Sequence, residues 1–190
     1  LGAEEQLNWF KTEIQLTWAI DFKARLGPEL TDQKRVRLLN RIVEWNPEGI
    51  NIEGGQRHAE IIVNQLGLND SKPLSSPGDR IKPKELSEED VVELTSTEAT
   101  LYRAVVARGN YMSIDRSDTR FAIKELARRM SKPRKIDWNQ LIPFGRYLLG
   151  KPRVVNQFCY QKNWMIMDVW SDTDHAACPT TRQSTTRRAV

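Results

Sequence analysis

The sequence is poor in the residues that bind metals or form cross-links. Its 190 residues include two cysteines, Cys159 and Cys178, and two histidines, His58 and His175. None of them has metal-finger spacing, which argues against a zinc site, and two cysteines without a pairing pattern do not make a disulfide scaffold. We therefore expect a reduced, intracellular chain, cytoplasmic or nuclear, and not a secreted one.

The chain also lacks a long apolar run and an adjacent pair of aspartates. No stretch approaches the roughly 20 apolar residues that a membrane-spanning helix needs. The first residues, LGAEEQLNWF, do not form a signal-peptide pattern. We expect no membrane association. Because the first residue is not Met, we also expect the chain to be a piece of a longer protein.

Enough apolar sequence is present for a core. With 39% hydrophobic and 28% charged residues, the chain suits one ordinary domain or two small pieces. The net charge of +4 is unevenly spread, because basic residues dominate 103–153 and acidic residues dominate 85–98. A local positive face of this kind favours phosphate backbones, although a solvated helix surface gives the same pattern.

Three helices are predicted between Leu101 and Gly150. The middle one carries an apolar stripe at i, i+3, i+4 and i+7, formed by Ile123, Leu126, Ala127 and Met130. We interpret it as a helix that faces the core with a basic back. The candidate nucleic-acid-binding residues on this basic stripe are Arg120, Lys124, Arg128, Arg129 and Lys132.

The first part of the chain predicts a helix, a hairpin and a second helix. Apolar residues recur at helical spacing from Glu4 to about Trp18. Asn46-Pro47-Glu48-Gly49 has the composition of a type I turn between two strands. A second helix is predicted from Gln56, with Gly67 as its stop. After it, 71–97 has the composition of a linker, rich in Pro and Ser and then in acidic residues.

Several short motifs occur in a fixed order along the chain. From Leu101 to Gly150 they are Tyr102-Arg103, Asp115-Arg116-Ser117-Asp118, Phe121-Ala122, Met130-Ser131-Lys132-Pro133 and Arg146-Tyr147-Leu148. This order resembles the segment downstream of the polymerase core in copia-type retrotransposon polyproteins. The helix, hairpin and helix, which end in SKPLSSP at 71–77, are similar to the segment after the catalytic aspartates of their reverse transcriptases, where a strand pair steadies the primer end.

The resemblance implies metal-dependent chemistry in the parent enzyme. Reverse transcription needs two metal ions bridged by carboxylates, which this family takes mostly from an Asp-Asp hairpin. No Asp-Asp pair occurs in this sequence. If the correspondence is correct, that hairpin would lie immediately before Leu1, and this chain would begin just after the polymerase active site.

The last segment resembles the opening of the ribonuclease H domain in the same polyproteins. The segments 171–177, SDTDHAA, and 182–186, RQSTT, stand where the family has S-D-A-D-W-A-G and R-K-S-T-S. By this match, Asp172 would be a catalytic carboxylate and a ligand of Mg²⁺ in the intact parent enzyme. The alternative is a turn carboxylate at a strand end without a metal. We expect this fragment alone to bind no metal, because one aspartate does not position two ions.

These observations predict an α+β protein made of four parts. They are the end of the reverse transcriptase palm and start of its thumb (1–68), a linker (69–97), a helical thumb-like or connection-like segment (98–153) and the truncated start of a ribonuclease H-like domain (154–190). The parent reaction would be RNA-directed DNA synthesis with cleavage of the hybrid RNA. We expect the fragment to be inactive, with template–primer phosphates and the rest of the polyprotein as its partners. The alternatives are an independent helical nucleic-acid-binding module and an interaction scaffold.

Overall fold

A computed structural model of the protein describes residues 3–78, 87–161, 165–167, 169–173 and 186–189. This part of the chain contains five α-helices and six β-strands, and its mixed composition agrees with the predicted α+β class. The elements are α1 (Glu4–Thr17), β1 (Arg35–Leu38), β2 (Arg41–Asn46), β3 (Gly49–Glu53), α2 (Arg57–Gln65), α3 (Ser96–Met112), α4 (Arg120–Ala127), α5 (Lys135–Gly150), β4 (Val155–Cys159), β5 (Trp170–Thr173) and β6 (Thr186–Ala189).

The first four strands form one antiparallel sheet in the order β1-β2-β3-β4, and β5 and β6 form a separate antiparallel pair. The predicted turn between β2 and β3 is confirmed. The Asn46 side-chain oxygen accepts hydrogen bonds from the backbone N–H groups of Glu48, at 2.9 Å, and Gly49, at 3.0 Å. A Cβ atom at Gly49 would lie 2.1 Å from the Phe158 carbonyl oxygen, so β4 can approach β3 only because this residue is glycine.

The turn between β1 and β2 has a left-handed backbone at both central residues. Leu39 has a φ of 48° and Asn40 a φ of 62°. Hairpins with two-residue loops favour this conformation because it matches the twist of the strands, and they usually place Asn or Gly there. A leucine in this region is strained because its Cβ approaches the following carbonyl.

Strand β4 joins two parts of the predicted organisation. Its register places Gly49 opposite Cys159 and Glu53 opposite Val155. The first strand of the predicted ribonuclease H-like part (154–190) therefore completes the sheet of the predicted palm remnant (1–68). The sequence also predicts a strand from Asn163 to Trp170, but residues 165–167 and 169 are not in a strand, and β5 begins only at Trp170. Residues 162–164 and 168 lie outside the described part.

The hydrophobic core lies among α2, α3, α4 and α5. The predicted stripe on α4 is confirmed, since Ile123 and Leu126 are buried and Ala127 and Met130 pack against the core. Helix α3 approaches α4 closely at Gly109, where a Cβ would lie 2.4 Å from Ile123 Cδ1. The largest fully buried apolar side chains are Tyr102, Phe144, Ile62, Ile123, Leu141, Leu148, Val105 and Val106.

The helix ends differ from expectation in two places. The sequence predicts Ser96 or Thr97 as the cap of α3, but the cap is Thr95, whose hydroxyl accepts from the Glu98 N–H while the Glu98 carboxylate accepts from the Thr95 N–H. This reciprocal pair is a capping box. Pro143 predicts a kink or a late start in α5, and the late start is wrong, because the helix begins at Lys135 and includes Pro143.

The segment predicted as a linker (69–97) makes backbone contacts with the helices where it is described. The Leu74 N–H donates to the Arg146 carbonyl at 3.2 Å, and the Leu94 N–H donates to the Pro133 carbonyl at 3.0 Å. Both ends of the segment are therefore anchored to the chain around α5.

Helix α1 is confirmed as a helix, but no residue in it is buried. Its apolar side chains face solvent, and Trp9 is 64% and Leu16 77% exposed. The periodicity predicts an apolar face, but none of the described residues buries it. Within the same described ranges, no helix combines the length and apolar character needed to cross a bilayer.

Candidate nucleic-acid interface

The predicted basic stripe begins at Arg120, whose guanidinium is used within the fold. Its Nε donates to the Ser113 carbonyl at 3.0 Å, and its Nη2 donates to the Ile114 carbonyl at 3.1 Å. These carbonyls lie just after the end of α3, where the helix leaves acceptors unsatisfied. Arg120 therefore closes the end of the preceding helix, and only its remaining guanidinium donors are available to a ligand.

The other members of the stripe do not continue along one helix. Because α4 ends at Ala127, Arg128, Arg129 and Lys132 lie on the turns that come after it. Arg128 pairs with Glu125 at 3.3 Å, and the exposed Lys132 lies 3.9 Å from a Glu93 carboxylate oxygen. Of the five residues, only Arg120 and Lys124 are on α4. Their role in nucleic-acid binding stays a prediction.

A second basic surface surrounds a cavity of about 360 Å³ between the β1–β2 turn, the start of α2 and the second half of α3. We call it the arginine cleft, and Asp115 is the acidic residue in its lining. The basic and aromatic residues that define the arginine cleft are Arg37, Arg41, Arg57, Arg108, Arg116, His58 and Tyr111.

Three separate elements position these arginines. Arg37 and Arg41 flank the β1–β2 turn, and the register pairs Leu38 with Arg41. Arg57 is the first residue of α2 and comes after the Gly54-Gly55 loop, so the partial positive charge of a helix N-terminus adds to its own charge. Arg108 lies in the second half of α3. The fold therefore gathers cations that are far apart in sequence.

Some of the cleft arginines are neutralised, and others are not. Arg41 Nε lies 2.7 Å from an Asp115 carboxylate oxygen, which fixes the turn against the end of α3. Asp115 is tied to β4 as well, because its carbonyl accepts from the Asn156 side-chain amide at 2.8 Å. Within the part of the chain that the structure describes, neither Arg37 nor Arg57 is in an ion pair.

His58 lies between the charged groups of the cleft. Its Nδ1 is 3.2 Å from Arg108 Nη1, and its ring meets the Tyr111 ring edge-on at a centroid distance of 4.9 Å. Burial, together with the positive charges of Arg108 and Arg57, lowers the pKa of His58 below its ordinary value. The lowered pKa favours the neutral imidazole, whose Nδ1 can accept a hydrogen bond from Arg108. The neighbouring Arg108 Nε is buried and has no partner among the described residues.

Behind the cleft, a buried ion pair holds the chain between α3 and α4. Arg116 is 4% exposed and donates to Asp118 through Nε, at 3.0 Å, and Nη2, at 2.8 Å. The Tyr147 hydroxyl on α5 donates to the same carboxylate at 2.5 Å. Arg116 Nη1 also reaches the Pro152 carbonyl at 3.3 Å, before β4. We call Arg116, Asp118 and Tyr147 the ionic lock. The residue types before α4 predict Asp118 or Ser117 as its cap, but the N-cap is Thr119 and the Asp118 carboxylate serves this lock.

The predicted metal ligand Asp172 lies in β5, opposite Arg187 of β6 in the register. A carboxylate that binds Mg²⁺ beside a scissile phosphate needs further carboxylates nearby. Among the described residues, no group of three His, Cys, Asp or Glu is arranged to hold a metal ion. The role of Asp172 as a metal ligand therefore stays a prediction, and we derive no catalytic step through it. The motif residues 174–185 lie outside the described part.

The arginine cleft is the functional surface that the sequence analysis missed. Its residues come from the hairpin, α2 and α3, and no local spacing connects them. A weak signal existed in Gly54-Gly55 just before a helix that begins with Arg57, since glycines before a helix N-terminus often precede an anion site. The sequence analysis instead favoured the basic stripe, because its members are neighbours in sequence.

Fold and cleft together define a mixed α and β protein with a concave, arginine-lined surface suited to anionic ligands. No family model matches the chain, and no solved structure matches it. The chain is 28% identical over 145 residues to an uncharacterized mitochondrial protein of Arabidopsis thaliana. The aligned region covers 76% of this chain and 57% of that protein, so the chain spans little more than half the length of this relative.

Proposed function

We propose that this chain is a retrotransposon-derived polyprotein region, from the end of a copia-type reverse transcriptase to the start of ribonuclease H. In this proposal the chain contacts the phosphates of a template–primer and carries no complete active site. Two ordered blocks of motifs resemble that family, and the sequence contains no Asp-Asp pair. The distant relationship to the Arabidopsis protein supports a shared origin for most of the chain, although that protein's name assigns no activity.

The arginine cleft is the observation that carries the binding part of the proposal. Arg37 and Arg57 have no ion pair with any described residue, so no such pair has to be broken before they contact a phosphate. A phosphate also gains from the helix N-terminus at Arg57, where backbone N–H groups point outwards. Contacts of this kind are independent of sequence and weaken as salt is added.

The basic stripe is a second proposed contact surface, and it is weaker on physical grounds. Arg120 donates to two backbone carbonyls and Arg128 pairs with Glu125, so a phosphate has to compete with partners already present. Arg129 and Lys132 are exposed, and Lys132 lies 3.9 Å from a Glu93 carboxylate oxygen. We propose that the stripe adds long-range attraction while the cleft makes the close contacts.

The second candidate is an independent helical nucleic-acid-binding module. The observation that favours it is the shared core of α2, α3, α4 and α5, which contains all the fully buried apolar side chains of the described residues. The reading frame around the gene separates the two candidates. An Asp-Asp hairpin encoded just upstream of Leu1 supports the polyprotein origin, whereas an unrelated frame on both sides supports the module.

The binding part is tested by fluorescence anisotropy with a labelled RNA–DNA hybrid over a range of salt concentrations. We expect the double variant Arg37→Gln, Arg57→Gln to weaken binding and to reduce the slope of log K against log salt by about 2, since each lost phosphate contact accounts for about 0.9. The matched control is Lys11→Gln, Lys23→Gln, which removes the same charge outside the cleft. An equal effect of both double variants would refute the cleft as the contact surface.

The basic stripe is tested in the same binding assay with a separate variant. We propose that the triple variant Arg120→Glu, Lys124→Glu, Arg128→Glu weakens duplex binding at low salt, because it reverses a positive surface. Since Arg120 also closes α3, circular dichroism must first establish that this variant is folded. Unchanged binding at low salt would remove the stripe from the proposal.

A further inference from the structure

Tyr111 occupies an unusual place for a large aromatic side chain. It lies in the last turn of α3, at the rim of the arginine cleft, and is 56% exposed. Its contact with His58 is edge-on, with an angle of 61° between the rings. In an edge-to-face pair the edge of one ring meets a face of the other, so this contact covers at most one of the two faces of Tyr111. A ring held in this way beside several arginines is suited to stacking with a flat ligand.

The size of the cleft favours a small part of a nucleic acid. A cavity of about 360 Å³ lies at the lower end of the roughly 300–1,000 Å³ found for small-ligand sites. A regular duplex keeps its bases stacked inside and would contact only the rim of such a cavity. A single unpaired nucleotide presents both a free base and a phosphate, so it can use the interior.

The charged and polar groups of the cleft come together at the start of α2. Arg57 begins this helix next to His58, whose Nδ1 lies 3.2 Å from Arg108 Nη1, and all three residues line the cavity. Arg108 Nε is buried and has no partner among the described residues, so it is out of reach of a ligand in this arrangement. The cations that line the cavity without an ion pair among the described residues are Arg37 and Arg57.

We propose that the arginine cleft holds one unpaired nucleotide of a single strand, with the base stacked on Tyr111 and the phosphate bound by Arg57 and Arg37. This inference rests on the proposed function and makes it more specific, because it assigns a preference for unpaired over paired nucleic acid. Stacking on an aromatic ring tolerates any base, so no sequence preference is expected.

The test compares two labelled single strands by fluorescence anisotropy at fixed salt. One is a short oligothymidylate, and the other has the same backbone with abasic sites throughout, so that only the bases differ. For the unmodified protein, we expect the oligothymidylate to bind about tenfold more tightly, which is within the range measured for one base–aromatic stack. We expect Tyr111→Ala to remove this difference and Tyr111→Phe to retain it.

The outcomes separate this inference from the proposed function. Equal affinity of the unmodified protein for both strands, or an unchanged difference in Tyr111→Ala, overturns the stacked nucleotide. If Arg37→Gln, Arg57→Gln still weakens binding to the hybrid in that case, the proposed function stands without it. Poly-glutamate is the competitor control. If it displaces the oligothymidylate as effectively as unlabelled oligothymidylate does, the cleft recognises charge alone and the inference is wrong.

Discussion

The ionic lock makes a quantitative prediction about stability. Asp118→Asn keeps the size of the side chain but removes its charge and turns one acceptor into a donor. The buried Arg116 then keeps its charge without its carboxylate, and the Pro152 carbonyl, 3.3 Å from Nη1, does not neutralise it. Breaking a buried ion pair by removing one partner costs about 3–5 kcal/mol. Because the Asp118 side chain is 23% exposed, we expect the lower end, about 3 kcal/mol.

Urea unfolding monitored by circular dichroism measures this change. With a slope of roughly 2 kcal/mol per molar urea, the midpoint of Asp118→Asn should fall by about 1.5 M. Tyr147→Phe removes only one hydrogen bond to the same carboxylate and should cost about 1 kcal/mol. The control Glu125→Gln breaks the exposed pair with Arg128 and should cost at most about 0.5 kcal/mol. A loss below about 0.5 kcal/mol for Asp118→Asn would show that water, and not the lock, compensates Arg116.

The same lock gives a pH dependence of known sign. Burial raises the pKa of Asp118, but the hydrogen bonds from Arg116 and Tyr147 outweigh burial, and the net pKa is lowered. A carboxyl group with a lowered pKa in the folded state stabilises the fold above its unfolded pKa, and this stability is lost as the pH falls below about 4. Asp118→Asn should lose less stability over that acidic range than the unmodified protein. Parallel losses in the two proteins would contradict this assignment.

Two further predictions concern single positions in the fold. Leu39→Asn should raise the free energy of unfolding by about 1 kcal/mol, because Asn tolerates the positive φ at Leu39 and this side chain is 78% exposed. The control Leu38→Asn, in an extended strand, should not stabilise, and urea midpoints of both variants test the difference. Gly109→Leu should destabilise by about 2 kcal/mol, because a Cβ there would lie 2.4 Å from Ile123 Cδ1. A thermal midpoint equal to that of the unmodified protein would show that α3 and α4 separate without cost.

The elements that the sequence predicted well are those specified by neighbours in the chain. The turn at Asn46–Gly49 needs only its own residues, because Asn46 binds the N–H groups of the turn itself. The helix at 120–127 is predicted by an apolar period that is local by nature. The cap of α3 was predicted at Ser96 or Thr97 and is Thr95, although Thr95 and Glu98 have the local spacing of a capping box.

The elements that were missed depend on residues distant in sequence. Pairing of β4 with β3 joins Val155–Cys159 to a hairpin about a hundred residues earlier in the chain, as the ion pair of Glu53 with Arg153 also does. Periodicity predicts an apolar face on α1 but contains no information on what covers that face. The course of α5 through Pro143 also depends on distant residues. A proline inside a helix costs about 3 kcal/mol, and the packing of buried α5 residues on both sides of Pro143 against the core offsets this cost.

The contrast between Arg120 and Arg57 explains why the candidate interface was harder to predict than the fold. Both are arginines at the first position of a helix, and sequence alone ranks Arg120 higher because other basic residues surround it. In the fold, Arg120 meets the open carbonyls at the end of α3 and donates to two of them. Arg57 comes after a glycine loop, has no carboxylate partner among the described residues and faces a cavity. The availability of an arginine for phosphate thus depends on the acceptors that the tertiary structure brings to it.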